Sequence, residues 1–114
     1  MRADQYDFII VGGGLAGTLL LRALQIRRPH LRYLLIEKGA HVGGSHNWSF
    51  HDADLSEASK TWFLPLVTKT WSSYEVSFPE YSRTFDSGYH CLSSADLGHR
   101  IQTDYPKNLL LNTD

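Results

Sequence analysis

The stretch that most constrains what this chain can fold into is Tyr6 to Gly17, Tyr-Asp-Phe-Ile-Ile-Val-Gly-Gly-Gly-Leu-Ala-Gly. Phe8, Ile9, Ile10 and Val11 make a short apolar run rich in β-branched residues, as expected of a parallel strand covered on both faces. Gly12, Gly14 and Gly17 then carry G-x-G-x-x-G spacing. The first permits a tight turn, the second lets the backbone approach a pyrophosphate, and the third lets the helix pack closely on its strand. A helix opening at about Gly14 offers the free N–H groups of its first turn, Leu15 and Ala16 among them, and the positive end of its dipole to phosphate oxygens.

Leu15, Ala16, Leu19, Leu20, Ala23 and Leu24 recur at helical spacing, which predicts a helix from about Gly14 to Arg27 with those residues against the sheet. Pro29 ends it, and Arg22, Arg27 and Arg28 lie near its last turns, where cations complement the dipole. Tyr33-Leu34-Leu35-Ile36 resumes as a strand, closing a βαβ unit over residues 6–37 that should cross over right-handed. Glu37 stands at the end of that strand, twenty positions after Gly17, where a carboxylate can accept both ribose hydroxyl protons of a bound adenosine. A glycine-rich turn alone would be a weak signal; the two strands, the helix and the terminal acid together predict a dinucleotide site. The acid disfavours a 2′-phosphate and hence NADP in this place, leaving FAD and NAD.

Composition narrows the partners. The 114 residues carry a formal charge of -1, and without a dense Lys/Arg block nothing calls for nucleic acid. The single cysteine, Cys91, cannot form an internal disulfide and reads as a small, half-buried strand residue. No apolar stretch reaches the ~18 residues needed to span a bilayer, and Met1 to Gln5 is not signal-like, so a cytoplasmic location is expected, with docking on the inner membrane face left open.

The next residues, Lys38-Gly39-Ala40-His41-Val42-Gly43-Gly44-Ser45-His46-Asn47-Trp48-Ser49-Phe50-His51, add a second glycine pair after the ribose acid. That pattern resembles FAD enzymes of the glutathione-reductase-like superfamily. Within it, Gly43 to His51 resembles the corresponding motif of bacterial lycopene β-cyclases. The resemblance continues through Asp54-Leu55-Ser56-Glu57, Trp62, Pro65-Leu66-Val67, Trp71, Tyr74-Glu75-Val76, Phe78-Pro79 and Ser87-Gly88-Tyr89, covering nearly the whole chain. Gly13 and Ser45 depart modestly from the family pattern.

The resemblance implies a Rossmann-like α/β fold with a parallel sheet and a small antiparallel insertion. It implies FAD as the cofactor, active in reduced form, with NAD(P)H as reductant and an acyclic carotenoid as substrate. The family's reaction is a non-redox isomerisation that closes ψ end groups of lycopene into β rings. An FAD-dependent oxidoreductase, such as a monooxygenase or polyene reductase, is the alternative on the same cofactor fold. A nucleotide-binding piece without activity of its own is a third. Gly12, Gly14, Leu15, Ala16, Gly17, Glu37, Lys38, Gly44 and His46 are the candidate cofactor contacts, His46 doubling as a possible substrate contact. Family members run far past Asp114, and the resemblance places the proton-donating acidic motif downstream, so residues 1–114 are expected to be an amino-terminal FAD-binding region and incomplete as an enzyme.

Insertion elements are expected over about 45–92 and a returning helix and strand over 94–112. Asp54 with Glu57 has the form of a capping box for a helix with Leu55, Ala58, Trp62 and Leu66 on one face, limited by Pro65. Trp62, Phe63, Leu64, Leu66 and Val67 could line a hydrocarbon tunnel or simply pack. Tyr74 to Phe78 and Tyr81 to Phe85 read as strands joined through Pro79-Glu80 in an antiparallel insertion, with Gly88 to Leu92 as a third strand. Ser93 or Ser94 should cap a helix with Leu97 and Ile101 inward. Leu109-Leu110-Leu111 should be a third parallel strand beside the first. His41, His46 and His51 recur every fifth position, a spacing unlike helical metal ligands, so no metal is expected. Ser49 has no identifiable base, and Asp52, Asp54 and Glu57 are explained by capping or solvation.

Overall fold

In chain order the elements are β1 (Phe8–Val11), α1 (Leu15–Arg27), β2 (Tyr33–Ile36), β3 (Asn47–His51), α2 (Glu57–Phe63), β4 (Lys69–Trp71), β5 (Tyr74–Phe78), β6 (Tyr81–Phe85), β7 (Tyr89–Ser93), α3 (Ser94–Asp104) and β8 (Leu109–Leu110). The structure is a computed structural model that describes residues 5–113. It divides into two units: residues up to His46 together with those from Ser94 onward, and Asn47–Ser93.

The first unit is an α/β layer. β1 and β2 run parallel, Phe8 opposite Tyr33 and Val11 opposite Ile36. β8 lies beside β2, with Leu109 opposite Leu35, giving the order β1-β2-β8. The last apolar run was expected next to β1, and its place is corrected here. Two successive parallel connections carry each new strand one position further out, and α1 and α3 pack on each other. Three apolar strands of similar composition do not encode that order locally.

α1 also turns a different face inward from the one expected. Its buried residues are Thr18, Leu21 and Arg22, while Leu20 is 49% exposed. The helix faces both the sheet and α3, so its buried arc centres on a line that includes two polar side chains. Thr18 is satisfied within the helix, its hydroxyl donating to Gly14 O at 2.7 Å. Arg22 reaches across to α3, Nη1 to Asp104 Oδ2 at 3.3 Å, and thus belongs to the core of this unit and not to a surface basic patch. Tyr33, Leu35, Leu97 and Ile101 complete that core.

The second unit is antiparallel. β7 is central, with β3 on one side (Phe50 opposite His90) and β4 on the other (Thr70 opposite His90). β5 and β6 form a separate hairpin. The third antiparallel strand expected over residues 88–92 is present as β7, and its partners are β3 and β4: the Pro79-Glu80 turn specifies only local pairing, and β7 takes long-range partners that no turn announces. The helix start is corrected too. Ser56 caps α2, its Oγ accepting from Ser59 N at 3.2 Å, while Asp54 Oδ2 accepts from His51 N at 2.9 Å in the preceding turn. Leu66 is buried, and Phe63 stands edge-on to Phe50 at 5.1 Å, so these apolar residues pack within the unit.

Asp52 is neither a cap nor merely solvated. Its Oδ2 pairs with Lys60 Nζ at 2.8 Å and its Oδ1 lies 3.0 Å from His90 Nε2. These partners, Lys60 foremost, hold its carboxyl below the usual range. No helix among the described residues is long and apolar enough to cross a membrane.

Candidate functional site

The carboxyl ends of β1 and β2 carry the site. Gly12 follows Val11 with φ of +101°, a conformation that glycine adopts without strain, and its N–H donates to Ile36 O at 2.8 Å. The chain can then double back into α1. A Cβ on Gly17 would lie 2.1 Å from Gly12 O, so this close helix-on-turn contact requires glycine. Gly14 is different: a Cβ there would meet nothing within 4 Å. Gly14 caps α1 without a side-chain hydrogen bond, and no acidic residue stands in the first turn. The N–H groups of that turn are thus left for an outside acceptor, with open backbone at Gly14 over which a phosphate can approach.

Glu37 is tied to this turn by its own carboxylate. Oε1 accepts from Gly13 N at 3.0 Å and Oε2 from Gly39 N at 2.5 Å. Those two backbone donors, Gly39 first, hold its carboxyl below the ordinary range, so it is anionic at neutral pH. Each oxygen keeps a further lone pair, which leaves the group able to accept from hydroxyls as well. A cleft of about 310 Å³ beside it is lined by Val11, Gly12, Ile36, Glu37, Lys38 and Thr113. Apolar strand ends and one carboxylate make that cleft suitable for a nucleoside, and with the phosphate-ready turn next to it the residues fit a dinucleotide.

The structure brings Gly12, Gly14, Leu15, Ala16, Gly17, Glu37 and Lys38 together at this end of the sheet. Gly44 lines a separate hollow with His41, Ser94 and Gly98. His46 lies on the surface of the same unit, its carbonyl accepting from Ser94 N at 2.9 Å. The spacing argument missed the support underneath. Gly43 N donates to Gly13 O at 2.6 Å, Val42 is buried, and a Cβ on Gly98 would lie 2.2 Å from Val42 O. Thus α3 presses on the 42–43 segment, which braces the phosphate turn. A glycine inside α3 was the available signal, since a mid-helix glycine costs stability unless something needs the space. No cluster of three His, Cys, Asp or Glu able to hold a metal occurs among the described residues.

The profile of the family described as lycopene cyclase protein matches residues 7–112. The chain belongs to the lycopene cyclase family. It is 41% identical to the lycopene beta-cyclase of Pantoea ananas over 95% of its own length and 42% identical to that of Pseudescherichia vulneris over 93%. In each case it spans only 28% of the relative. A solved structure, described as a putative FAD-containing monooxygenase from Photorhabdus luminescens subsp. laumondii TTO1, superposes with a TM-score of 0.53 over 95% of this chain and 31% of the other, at 16% identity. That likeness concerns the fold: the α/β layer of this lycopene cyclase family member recurs in a flavoprotein of otherwise distant sequence.

Proposed function

We propose that the complete protein is a lycopene β-cyclase and that residues 1–114 hold the adenosine and pyrophosphate end of its FAD. Family membership over nearly the whole chain carries this reading, and the acceptor-ready turn at Gly14 beside anionic Glu37 supports a dinucleotide in that place. The first turn of α1, with Leu15 and Ala16, binds the pyrophosphate; Gly12 and Gly17 hold the turn in shape; Glu37 accepts ribose hydroxyls. Lys38 flanks the nucleoside cleft, and Gly44 and His46 lie toward the remainder of the cofactor.

When bound, reduced FAD supplies negative charge that stabilises a carbocation in a site closed to water, without net electron transfer. This region orients the cofactor, and the acid that protonates the terminal double bond comes from residues beyond Asp114. NAD(P)H serves as reductant, the substrate is an acyclic carotenoid, and the protein works from the cytoplasm, docked peripherally on the membrane that dissolves such a substrate.

The deciding experiment gives lycopene and reduced FAD to the complete protein under anaerobic conditions. Cyclic product with no net flavin oxidation is expected. Product tied stoichiometrically to flavin oxidation would replace this reading with a redox flavoenzyme. Flavin titration of residues 1–114 alone measures whether this region is a cofactor module by itself.

A further inference from the structure

The amino end of the parallel sheet, opposite the glycine turn, carries a hollow that the dinucleotide does not use. β1 and β2 run parallel, so Tyr6, just before β1, and Arg32, just before β2, meet there, with about 13 Å of strand between them and the turn. Together with Gln25, Lys107 and Asn108 they line a space of about 320 Å³. The Arg32 guanidinium lies 5.1 Å from the centre of the Tyr6 ring. Arg27 and Arg28 are exposed at the end of α1, and Lys107 is exposed in the turn before β8. Arg28 is held beside the hollow, its carbonyl accepting from the Tyr33 hydroxyl at 2.7 Å. Asp7, which accepts from Arg32 N at 2.7 Å, offsets part of this charge. Among the described residues Arg27, Arg28 and Lys107 have no carboxylate in ion-pair range, and Asp104 at the end of α3 is taken by Arg22 and Arg100.

Complementing the α1 dipole accounts for Arg27 and Arg28 but not for Arg32 and Lys107, which come from other segments. Four cations at one end of a chain whose formal charge is -1 make a local positive surface. A single free phosphate in so open a hollow would meet only screened, solvated cations. A layer of anionic headgroups meets all four at once, and each basic side chain near such a surface strengthens binding by about fivefold. Ile26, 47% exposed and next to Arg27 in sequence, and Tyr6, 36% exposed, add apolar and aromatic surface that can enter the headgroup layer. We propose that this basic end of the sheet docks the protein on an anionic phospholipid membrane. This rests on the peripheral docking read above and supplies its surface. Lipid at the amino end of the strands leaves the glycine turn at their carboxyl end clear for the dinucleotide.

The test measures binding of the complete protein to sedimented vesicles, made of phosphatidylcholine alone or of phosphatidylcholine mixed with phosphatidylglycerol. Binding to the mixed vesicles only, weakening as salt rises, is expected. The triple variant Arg27→Gln, Arg28→Gln, Lys107→Gln should bind them about 100-fold more weakly, with flavin affinity unchanged because none of the three lies at the glycine turn. Lys107→Gln alone, away from the helix end, should lose about fivefold. Arg27→Lys with Arg28→Lys should bind as the wild type does, since a lipid surface reads charge and not guanidinium shape. A wild-type protein that ignores anionic vesicles overturns the proposal, as does equal binding to neutral ones or undiminished binding by the Gln variants. A loss in the Lys variant as large as in the Gln variant also overturns it, in favour of a partner that pairs with guanidinium groups, such as an acidic protein segment. No lycopene is turned over in this assay, so its failure leaves the cyclase reading standing, and a protein that docks yet forms no ring fails that reading alone.

Discussion

Gly13 and Glu37 are joined across 24 residues of sequence by a 3.0 Å hydrogen bond from the glycine N–H to Oε1. The other oxygen takes the N–H of Gly39. The carboxylate therefore staples the phosphate turn to the segment leaving β2, besides any part it takes in binding ribose. One side chain shapes the turn and presents charge to the cleft beside it.

Replacing that carboxylate should harm the fold and the ligand together. Glu37→Gln keeps one acceptor oxygen and points an NH2 group at a backbone donor, so the turn loses a charge-assisted bond and gains a clash of donors. A loss of about 1 to 3 kcal/mol in unfolding free energy is expected from denaturant melts. Flavin titration of the complete protein should show affinity weakened by a further amount of about 1.5 to 3 kcal/mol. A variant that loses affinity while keeping full stability would contradict the stapling role.

The motif glycines separate stability from binding. Gly17→Ala places a methyl 2.1 Å from Gly12 O, and backbone on one side and helix on the other leave it little room. The expected cost is about 1 to 3 kcal/mol of stability, read from thermal or denaturant unfolding. Gly14→Ala meets no atom within 4 Å and sits at a negative φ of -78°, so it should fold as well as the wild type. Gly14→Val should fold too yet bind flavin poorly, since its branched side chain stands where phosphate approaches. Unaltered flavin affinity in Gly14→Val would move the pyrophosphate away from this turn.

Gly98 is a more distant test of the same turn. Its Cβ would lie 2.2 Å from Val42 O, so Gly98→Ala must push α3 off the 42–43 segment, whose Gly43 N–H holds Gly13 O. Despite alanine's better helix propensity, the substitution should destabilise the protein and weaken flavin binding. A stabilised Gly98→Ala variant would show that this packing is loose.

The parts legible in the sequence were those with local signals. Phe8 to Val11, the glycine spacing and the apolar run at Tyr33 each announce themselves within a few residues, and Leu97 and Ile101 did face inward at helical spacing. The rest depended on distant partners. Thr18 and Arg22 are polar, yet they line the buried face of α1 because a local carbonyl and Asp104 satisfy them. β7 reads equally well as a hairpin strand until β3 and β4 claim it. Asp52 looked like one more surface acid, since nothing in residues 50–54 reveals that His90 and Lys60 converge on it. The family motif at Gly43 to His51 was visible as a string, but its bracing of Gly13 through Gly43 was not.

Three half-buried charges set a pH window. Glu37 and Asp52 are held below their ordinary values of 4.5 and 3.8, Glu37 by the Gly39 and Gly13 amides, Asp52 by Lys60 and His90. A carboxyl whose folded value is depressed stabilises the protein above its unfolded value, and that contribution disappears as pH falls through the folded one. Lys60 has the opposite sign: Asp52 and Glu57 raise it above 10.5, so its contribution is complete below that pH and is lost as pH rises through the raised value. Stability should therefore be flat between about pH 5 and 10 with respect to these groups and fall outside that range. Melting temperatures measured from pH 3 to 7 would show the acid limb, and Glu37→Gln should flatten part of it by removing one of the groups that must take up a proton. An acid limb of unchanged slope in that variant would mean that Glu37 titrates alike in the folded and unfolded chain, and that the two amide hydrogen bonds do not hold it in solution.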